Sequence, residues 1–517
     1  MKAVWAELVP VPKKALTTHL TAVLAHLKAG LTDRLWRARE ASCLALADLL
    51  PGREWDELKD SLEALTTALM RALDDIKETV RVAALTCWRA LCSVCTRLCS
   101  AGGGGGATTS KGAGGGGAAS ARAAEALDLL LPLLLERGVG HAAEDVSKLC
   151  AKQLLKLCEA AAPPLLAPHT GRLVPRLLEN LSVLEDQSLN YLQMHAASAG
   201  ISDASLEQAR VAAVRSSASS TALETCLGAM GAAEISDVLP SVGGLLTRGV
   251  GLPTRTGAAR FLMLLAQRDR SLLAPHAPKL LRTLQAAVLA EASVTARRAY
   301  AAAASEVARA APSEALSRLS SELCARYVDE AGAATEEELR LTVATLLREL
   351  LRGASDAMAT VRSDWLPLAF VGRHEPRWEA ETVNVSATEA KQPGKLATVW
   401  REAYDEAGGS AGVAALHLPE LLGLTARVID GTSWSLRRAA AAALAELLAA
   451  APTALTSSET HKSELRRQAS LLRERKMWEK ETLVAALDAA IEKCIGPDPT
   501  AAAAAPAAPA EPASGDW

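Results

Sequence analysis

The sequence predicts an all-α fold built as a stack of helical hairpins, and three observations predict it. First, a helical phrase recurs. Its clearest copies are Leu31–Leu50 and Leu73–Cys95, and weaker ones are Glu291–Ala311, Thr335–Leu351 and Ser433–Leu448. Each copy has a polar turn, an arginine, then small and aliphatic residues at helical spacing. Second, of the anchors Arg39, Arg81, Arg297, Arg340 and Arg437, two adjacent pairs lie 42 and 43 residues apart. That period suits a two-helix unit of the HEAT or armadillo type. Third, half of the residues are hydrophobic but only 3% are aromatic, and Ala and Leu dominate. This composition favours helix over strand and permits close helix–helix approach. A hairpin this small cannot bury its apolar face alone, so copies stack into an α-solenoid with long exposed surfaces.

The elements follow in order. Residues 1–100 hold HEAT-like repeats: a helix over about Thr17–Ala29 pairs with 31–50, and a second pair spans 56–99. Asp33, Asp75 and Glu291 each precede their arginine by six residues. Such an acid can accept backbone N–H groups at the start of the next helix. The arginine, nearly two turns on, can reach the turn of the adjacent repeat. Residues 101–120 are a Gly-rich stretch with a large ordering cost, expected as a disordered loop expansion inside one repeat. Residues 121–375 return to repeats, with helices at 121–137, 143–161 and Leu173–Leu184, and a partly helical excursion at 194–220. Further pairs are expected at 221–248 with 255–267, 277–290 with 294–310, and 313–328 with 335–352. Residues 376–395 form a polar insertion. Residues 396–452 hold the last repeats, including the pair Ala411–Ile429 and Ser433–Ala451. One charged terminal helix is expected over 453–495, about Ser458–Lys493, and a disordered Pro/Ala-rich tail over 496–517.

Charge and motifs narrow the function. A net charge of −3 argues against a dedicated nucleic-acid binder. Met1–Pro10 has no sustained apolar core, and no charge-free run of 18 strongly apolar residues appears, so neither a signal peptide nor an integral membrane segment is expected. Cys87, Cys92, Cys95 and Cys99 could supply thiolates to a metal or to cysteine chemistry. All four sit in one apolar helix, whereas structural zinc usually draws on separate elements, so packing is the preferred reading. The ten scattered cysteines read as reduced, in a cytoplasmic or nuclear setting. The glycine runs lack the G-K-[ST] ending that cradles phosphate, and neither H-E-x-x-H nor G-x-S-x-G occurs. No cofactor is expected. Lys462–Lys480 is basic with a partial apolar stripe and reads as the solvated face of a capping helix, with docking of an acidic partner as the sharper alternative.

Several phrases are not generic repeat sequence. They include LWRAREASCLALADLL (Leu35–Leu50), DDIKETVRV (Asp74–Val82), APHTGRLVPRLLENLSVL (Ala167–Leu184), LNYL (Leu189–Leu192), GVGL (Gly249–Leu252), LPLAFVGRHE (Leu366–Glu375) and TVWRE (Thr398–Glu402). Together, over roughly residues 1–450 and in collinear order, they resemble the C-terminal part of the proteasome adaptor and scaffold family. These are giant HEAT-repeat proteins also known as the extracellular-mutant-twenty-nine family. The resemblance implies a non-enzymatic cytoplasmic and nuclear α-solenoid that binds the 26S proteasome, at its regulatory and core particles. It also implies roles in assembly, stability or quality control, and adaptor contacts with endosomes and motors. The chain departs from the family in the Gly tract and after about Pro452. Outside the repeat pattern, Asn190, Tyr191, Arg373, His374 and Glu375 are the expected exposed partner-binding residues. Two other readings stand beside this one: another HEAT scaffold of the transport-receptor or microtubule-associated type, and a metal- or cysteine-dependent enzyme built on the 87–99 cluster.

Overall fold

A computed structural model describes residues 18–100, 116–183, 203–215, 217–329, 336–376, 394–474 and 480–496. The fold is all-α, with helical hairpins packed side against side and no strand among the described residues. The chain forms two compact units, Met1–Ala258 and Ala259–Trp517.

In the first unit, α1 (Leu20–Gly30) pairs with α2 (Trp36–Leu49), and α3 (Trp55–Leu73) with α4 (Glu78–Ser100). Helix α3 shows why the hairpins stack. Leu58, Leu62, Leu65 and Leu69 recur at helical spacing and are all buried. Each buried leucine contributes about 1.5–3 kcal/mol relative to exposure. At the entry to α3 the Glu54 N–H donates to Glu57 Oε2 at 2.8 Å. Helix α5 (Gly116–Leu133) ends in a π-helical turn, Leu134–Gly138, and is followed by α6 (Glu144–Ala160). Trp55 Nε1 donates to Glu125 Oε2 at 2.7 Å, so α3 and α5 are fastened on either side of the Gly-rich stretch. Most of that stretch, 101–115, lies outside the described residues.

Pro163–Pro168 carries three prolines, Pro163, Pro164 and Pro168. It forms a short helix, α7 (Pro163–Leu166), and a 3-10 turn leading into α8 (Thr170–Val183). Proline fits there because the first turn of a helix needs no N–H from it. Of the excursion, 194–202 lie outside the described residues, while α9 (Asp203–Arg215) is helical. The segment expected as one helical run at 221–248 is two helices, α10 (Ala218–Ala229) and α11 (Ala232–Arg248), broken at Met230 and Gly231. Helix α12 (Leu252–Arg268) follows, and the division between the two units falls within it.

The second unit continues with α13 (Arg270–Leu273), α14 (Ala277–Ala290), α15 (Val294–Ala308), α16 (Ser313–Asp329), α17 (Glu336–Gly353), α18 (Ser355–Ala359) and α19 (Arg362–Gly372). After the polar insertion, of which 377–393 lie outside the described residues, come α20 (Lys395–Glu406), α21 (Ala411–Ala415), α22 (Leu418–Asp430) and α23 (Trp434–Ala450). Helix α23 buries Ala439, Ala440, Ala441 and Ala443, whose small side chains let neighbours approach closely.

The terminal charged segment differs from the single helix expected over 453–495. A short α24 (Pro452–Thr456) precedes α25 (Glu459–Glu474), and α26 (Lys480–Ile495) runs antiparallel to α25. Arg473 pairs with Asp488 at 2.6 Å, and Arg466 Nη2 donates to Ile495 O at 3.4 Å. Leu465 and Leu472 on α25, and Leu487 and Ile491 on α26, are buried. A single straight helix would leave much of this apolar surface in water, and folding back buries it.

Candidate functional site

Two features stand out from the packing: a repeated arginine arrangement at the hairpin turns, and a buried polar cluster around residues 373–375.

The hairpin turns carry the arrangement expected from spacing. Asp33 Oδ1 accepts the N–H of Leu35 at 2.8 Å, and Asp75 Oδ1 accepts that of Lys77 at 2.9 Å. The fourth residue of the following helix is the anchoring arginine, and it folds back on its own turn. Arg39 Nη1 donates to Arg34 O (3.1 Å), Arg81 Nη1 to Ile76 O (3.2 Å), Arg297 Nη2 to Ala292 O (3.2 Å) and Arg437 Nη2 to Thr432 O (2.9 Å). Arg39 also reaches the next repeat, where its Nε and Nη2 grip both carboxylate oxygens of Asp75 at 2.6 and 2.9 Å. That bond holds the Asp75 carboxyl below its ordinary pKa. In the second unit Arg297 reaches Glu338 at 2.8 Å and Thr342 Oγ1 at 2.7 Å. Arg340, expected as a further anchor of this kind, is instead fully buried.

The same turns expose aliphatic side chains. Leu35, Ile76, Val250 and Val294 all stand in water at or just before the start of the second helix, and Ile76 is 93% exposed. Packing does not require these residues, so the turns are candidate contact points. In the second unit, α14, α15, α17 and α20 also frame a groove of about 730 Å3 lined by Val288, Val294, Leu341 and Val399 among charged Arg298, Glu337 and Lys395. Periodicity alone does not reveal it, because its lining comes from four separate helices.

Residues 373–375 lie mostly inside, against the expectation of exposure. Glu375 is buried, with Oε1 accepting from Tyr327 Oη (3.1 Å) and Arg340 Nη1 (3.3 Å). Arg340 also pairs with Glu336 at 2.6 Å and donates to Ser435 Oγ (2.7 Å) and Ser433 Oγ (2.9 Å). Trp400 Nε1 in turn donates to Tyr327 Oη at 3.0 Å. Loss of water pushes the Glu375 carboxyl up to about 7, with Arg340 opposing. Arg373 pairs with Glu446 and lies over the rings of Phe370 and Tyr404 at 4.5 and 4.6 Å. Burial lowers His374 to about 4, so it is neutral beside Glu446 at neutral pH. The trio ties α19 to its neighbours because a buried charge must be partnered. Asn190 and Tyr191 lie outside the described residues.

The 87–99 cysteines pack. Cys87, Cys95 and Cys99 are buried, and loss of water pushes the thiols of Cys87, Cys92 and Cys99 up to about 12. Thiols held protonated in this way are poor nucleophiles and poor metal ligands. Their helix α4 is long and apolar enough to cross a membrane by composition alone. It nevertheless carries Arg81, Arg89 and Arg97, and its apolar face packs on α2, α3, α5 and α6.

Residues 166–328 match the model of the HEAT-repeat domain of proteasome adapter and scaffold protein ECM29. Over 448 residues the chain is 30% identical to the Homo sapiens proteasome adapter and scaffold protein ECM29, covering 86% of this chain and 22% of that one. It is 26% identical to the Schizosaccharomyces pombe proteasome component ecm29 (87% and 25% covered) and 23% identical to its Saccharomyces cerevisiae counterpart (86% and 22%). The chain therefore spans about a quarter or less of the length of these relatives. Among solved structures, an importin beta is similar at 11% identity and a TM-score of 0.29, covering 91% of this chain and 59% of that one.

Proposed function

Because this chain is a relative of the ECM29 proteasome adapter and scaffold proteins and carries their HEAT-repeat domain, we propose that it is a non-enzymatic adaptor that binds the 26S proteasome. The observation that carries the reading is the collinear relationship over 86% of the chain. The proposal extends to contact with the regulatory and core particles, and to a contribution to proteasome assembly, stability or quality control. It places the protein in the cytoplasm and nucleus, with endosomal or motor adaptors as further partners. Exposed hairpin turns and a mixed-charge groove support binding spread over many repeats. Asn190 and Tyr191 are proposed contact residues. Arg373, His374 and Glu375 are proposed to act from within, by fixing the edge of the 376–395 insertion.

The test is affinity purification of the tagged chain from cells under low-salt, ATP-containing conditions, with mass spectrometry. Recovery of proteasome subunits is the expected result, and their absence sinks the proposal. Substituting Asn190 and Tyr191 together by alanine should reduce recovery without changing helix content.

A further inference from the structure

The turn ladder contains one rung whose acceptor is missing. Arg39 uses its guanidinium in two ways. Nη1 is fixed by its own turn, on Asp33 O (2.8 Å) and Arg34 O (3.1 Å), while Nε and Nη2 form a bidentate pair with Asp75 of the next repeat. Arg81 repeats the first half of this posture, with Nη1 on Asp75 O (2.8 Å) and Ile76 O (3.2 Å). The second half is absent: among the described residues its Nε and Nη2 meet no acceptor, and the side chain is exposed.

The corresponding position of the next repeat carries no acid. Asp33 and Asp75 each stand three residues before the first residue of their helix, α2 and α4. In α6 that position is His141. Its Nδ1 accepts the N–H of Ala143 at 3.1 Å, the same bond two residues on that each aspartate makes. The capping role is kept, but the negative charge that would engage Arg81 is lost. The nearby Glu144 is engaged by Lys148 at 2.7 Å. Arg81 therefore presents a guanidinium edge preorganised by two carbonyls, with exposed Ile76 and Val82 beside it.

We propose that this edge is a docking site for an acidic segment of a partner protein, whose carboxylate takes the position that Asp75 takes on Arg39 and whose aliphatic neighbour covers Ile76 and Val82. The fork geometry of arginine suits a carboxylate in a bidentate pair. An exposed ion pair alone contributes little, so the aliphatic neighbour is needed to remove apolar area from water. The proposal deepens the adaptor reading by naming what the partner offers, and it rests on that reading only for the partner's identity.

The probe is a fluorescein-labelled peptide with the sequence of residues 72–80 of this chain, ALDDIKETV, which carries the acid and its aliphatic neighbour. Its anisotropy is followed on titration with the whole chain at low salt. Saturable binding is expected, weakened about tenfold by Asp→Asn at both aspartates of the peptide, and weakened similarly by Arg81→Gln in the protein. High salt should weaken it further. The variant His141→Asp restores the internal rung, so it should raise the melting temperature and abolish peptide binding. No saturable binding up to about 1 mM protein, a bare-threshold affinity, overturns the proposal. So does Arg81→Gln or His141→Asp binding as the wild type does, with helix content unchanged. Proteasome co-purification that fails while the peptide still binds overturns the adaptor reading alone, and the reverse result overturns this site alone.

Discussion

Glu375 sits among α16, α17, α20 and α23 with no water to solvate it, so its charge is decided by its neighbours. Its pKa is raised above that of an unfolded glutamate, toward about 7. The folded state therefore binds the extra proton between the two values, and this contribution to stability is fully present below about 4.5 and is lost as pH rises toward 7. Glu375→Gln keeps an acceptor for Tyr327 and Arg340 but removes the titration. In urea unfolding, the stability of the wild type minus that of the variant should be larger at pH 5 than at pH 8. The full linkage amounts to at most about 3 kcal/mol. His374, lowered by burial, works in the opposite direction and loses stability as pH falls from about 6.5 toward 4, but it is common to both proteins and cancels in the difference. Gly372 gives a second residue-scale prediction. A Cβ there would lie 2.5 Å from the Trp400 indole, so Gly372→Ala should destabilise by about 1–3 kcal/mol and lower the melting temperature. The Gly372–Trp400 contact joins Leu366–Glu375 to Thr398–Glu402, two phrases that stood apart from generic repeat sequence, and Tyr327 links Trp400 to Glu375. Their residues were legible as unusual, but their burial was not, because Arg340 and Trp400 reach them only through the fold.

At the scale of the element, the hairpin is set by three local choices: an acid at the turn, an arginine in the first helical turn, and an apolar face behind them. The Arg39–Asp75 rung is the bond that passes from one hairpin to the next. A double-mutant cycle with Arg39→Gln and Asp75→Asn should return a coupling of about 1 kcal/mol, since the pair is only partly buried. Because Arg39 holds the Asp75 carboxyl below its ordinary range, the coupling is present above about pH 4 and is lost as pH falls through that lowered value. A coupling that persists at pH 2 would show that the two side chains interact by packing rather than by charge. Spacing alone foretold the acid, the arginine and the reach to the neighbouring turn. It did not foretell the fate of Arg340, which carries the same residue type at nearly the same period. A serine pair and two glutamates close around it, and their positions are set by α17, α19 and α23 together.

At the scale of the whole molecule, stability comes from hairpins that bury one another in sequence, so each apolar helix face needs a cover. In the second unit α25 and α26 provide one. Gln468 Nε2 donates to Leu422 O at 2.9 Å, and Leu465, Leu472 and Leu487 are buried where these helices meet α22 and α23. Truncation after Pro452 should therefore lower the melting temperature and raise binding of a hydrophobic dye, while proteasome recovery, if it resides in the preceding repeats, should persist in the folded fraction. An unchanged melting temperature would mean that α22 and α23 need no cover. The sequence by itself determined the helical class, the hairpin period and the turn chemistry, because helical spacing and capping act over a few residues and leave their mark locally. The family phrases likewise needed no coordinates. What only the tertiary structure decided is where those phrases meet. Ser182 Oγ donates to Val250 O at 2.6 Å, and Gly251 takes a positive φ against that same serine. Trp400 closes over Gly372, and the charged tail folds back into two helices. Each of these joins residues far apart in the chain, and the energy that selects them is the burial of apolar area and the pairing of buried charge, neither of which a one-dimensional pattern contains.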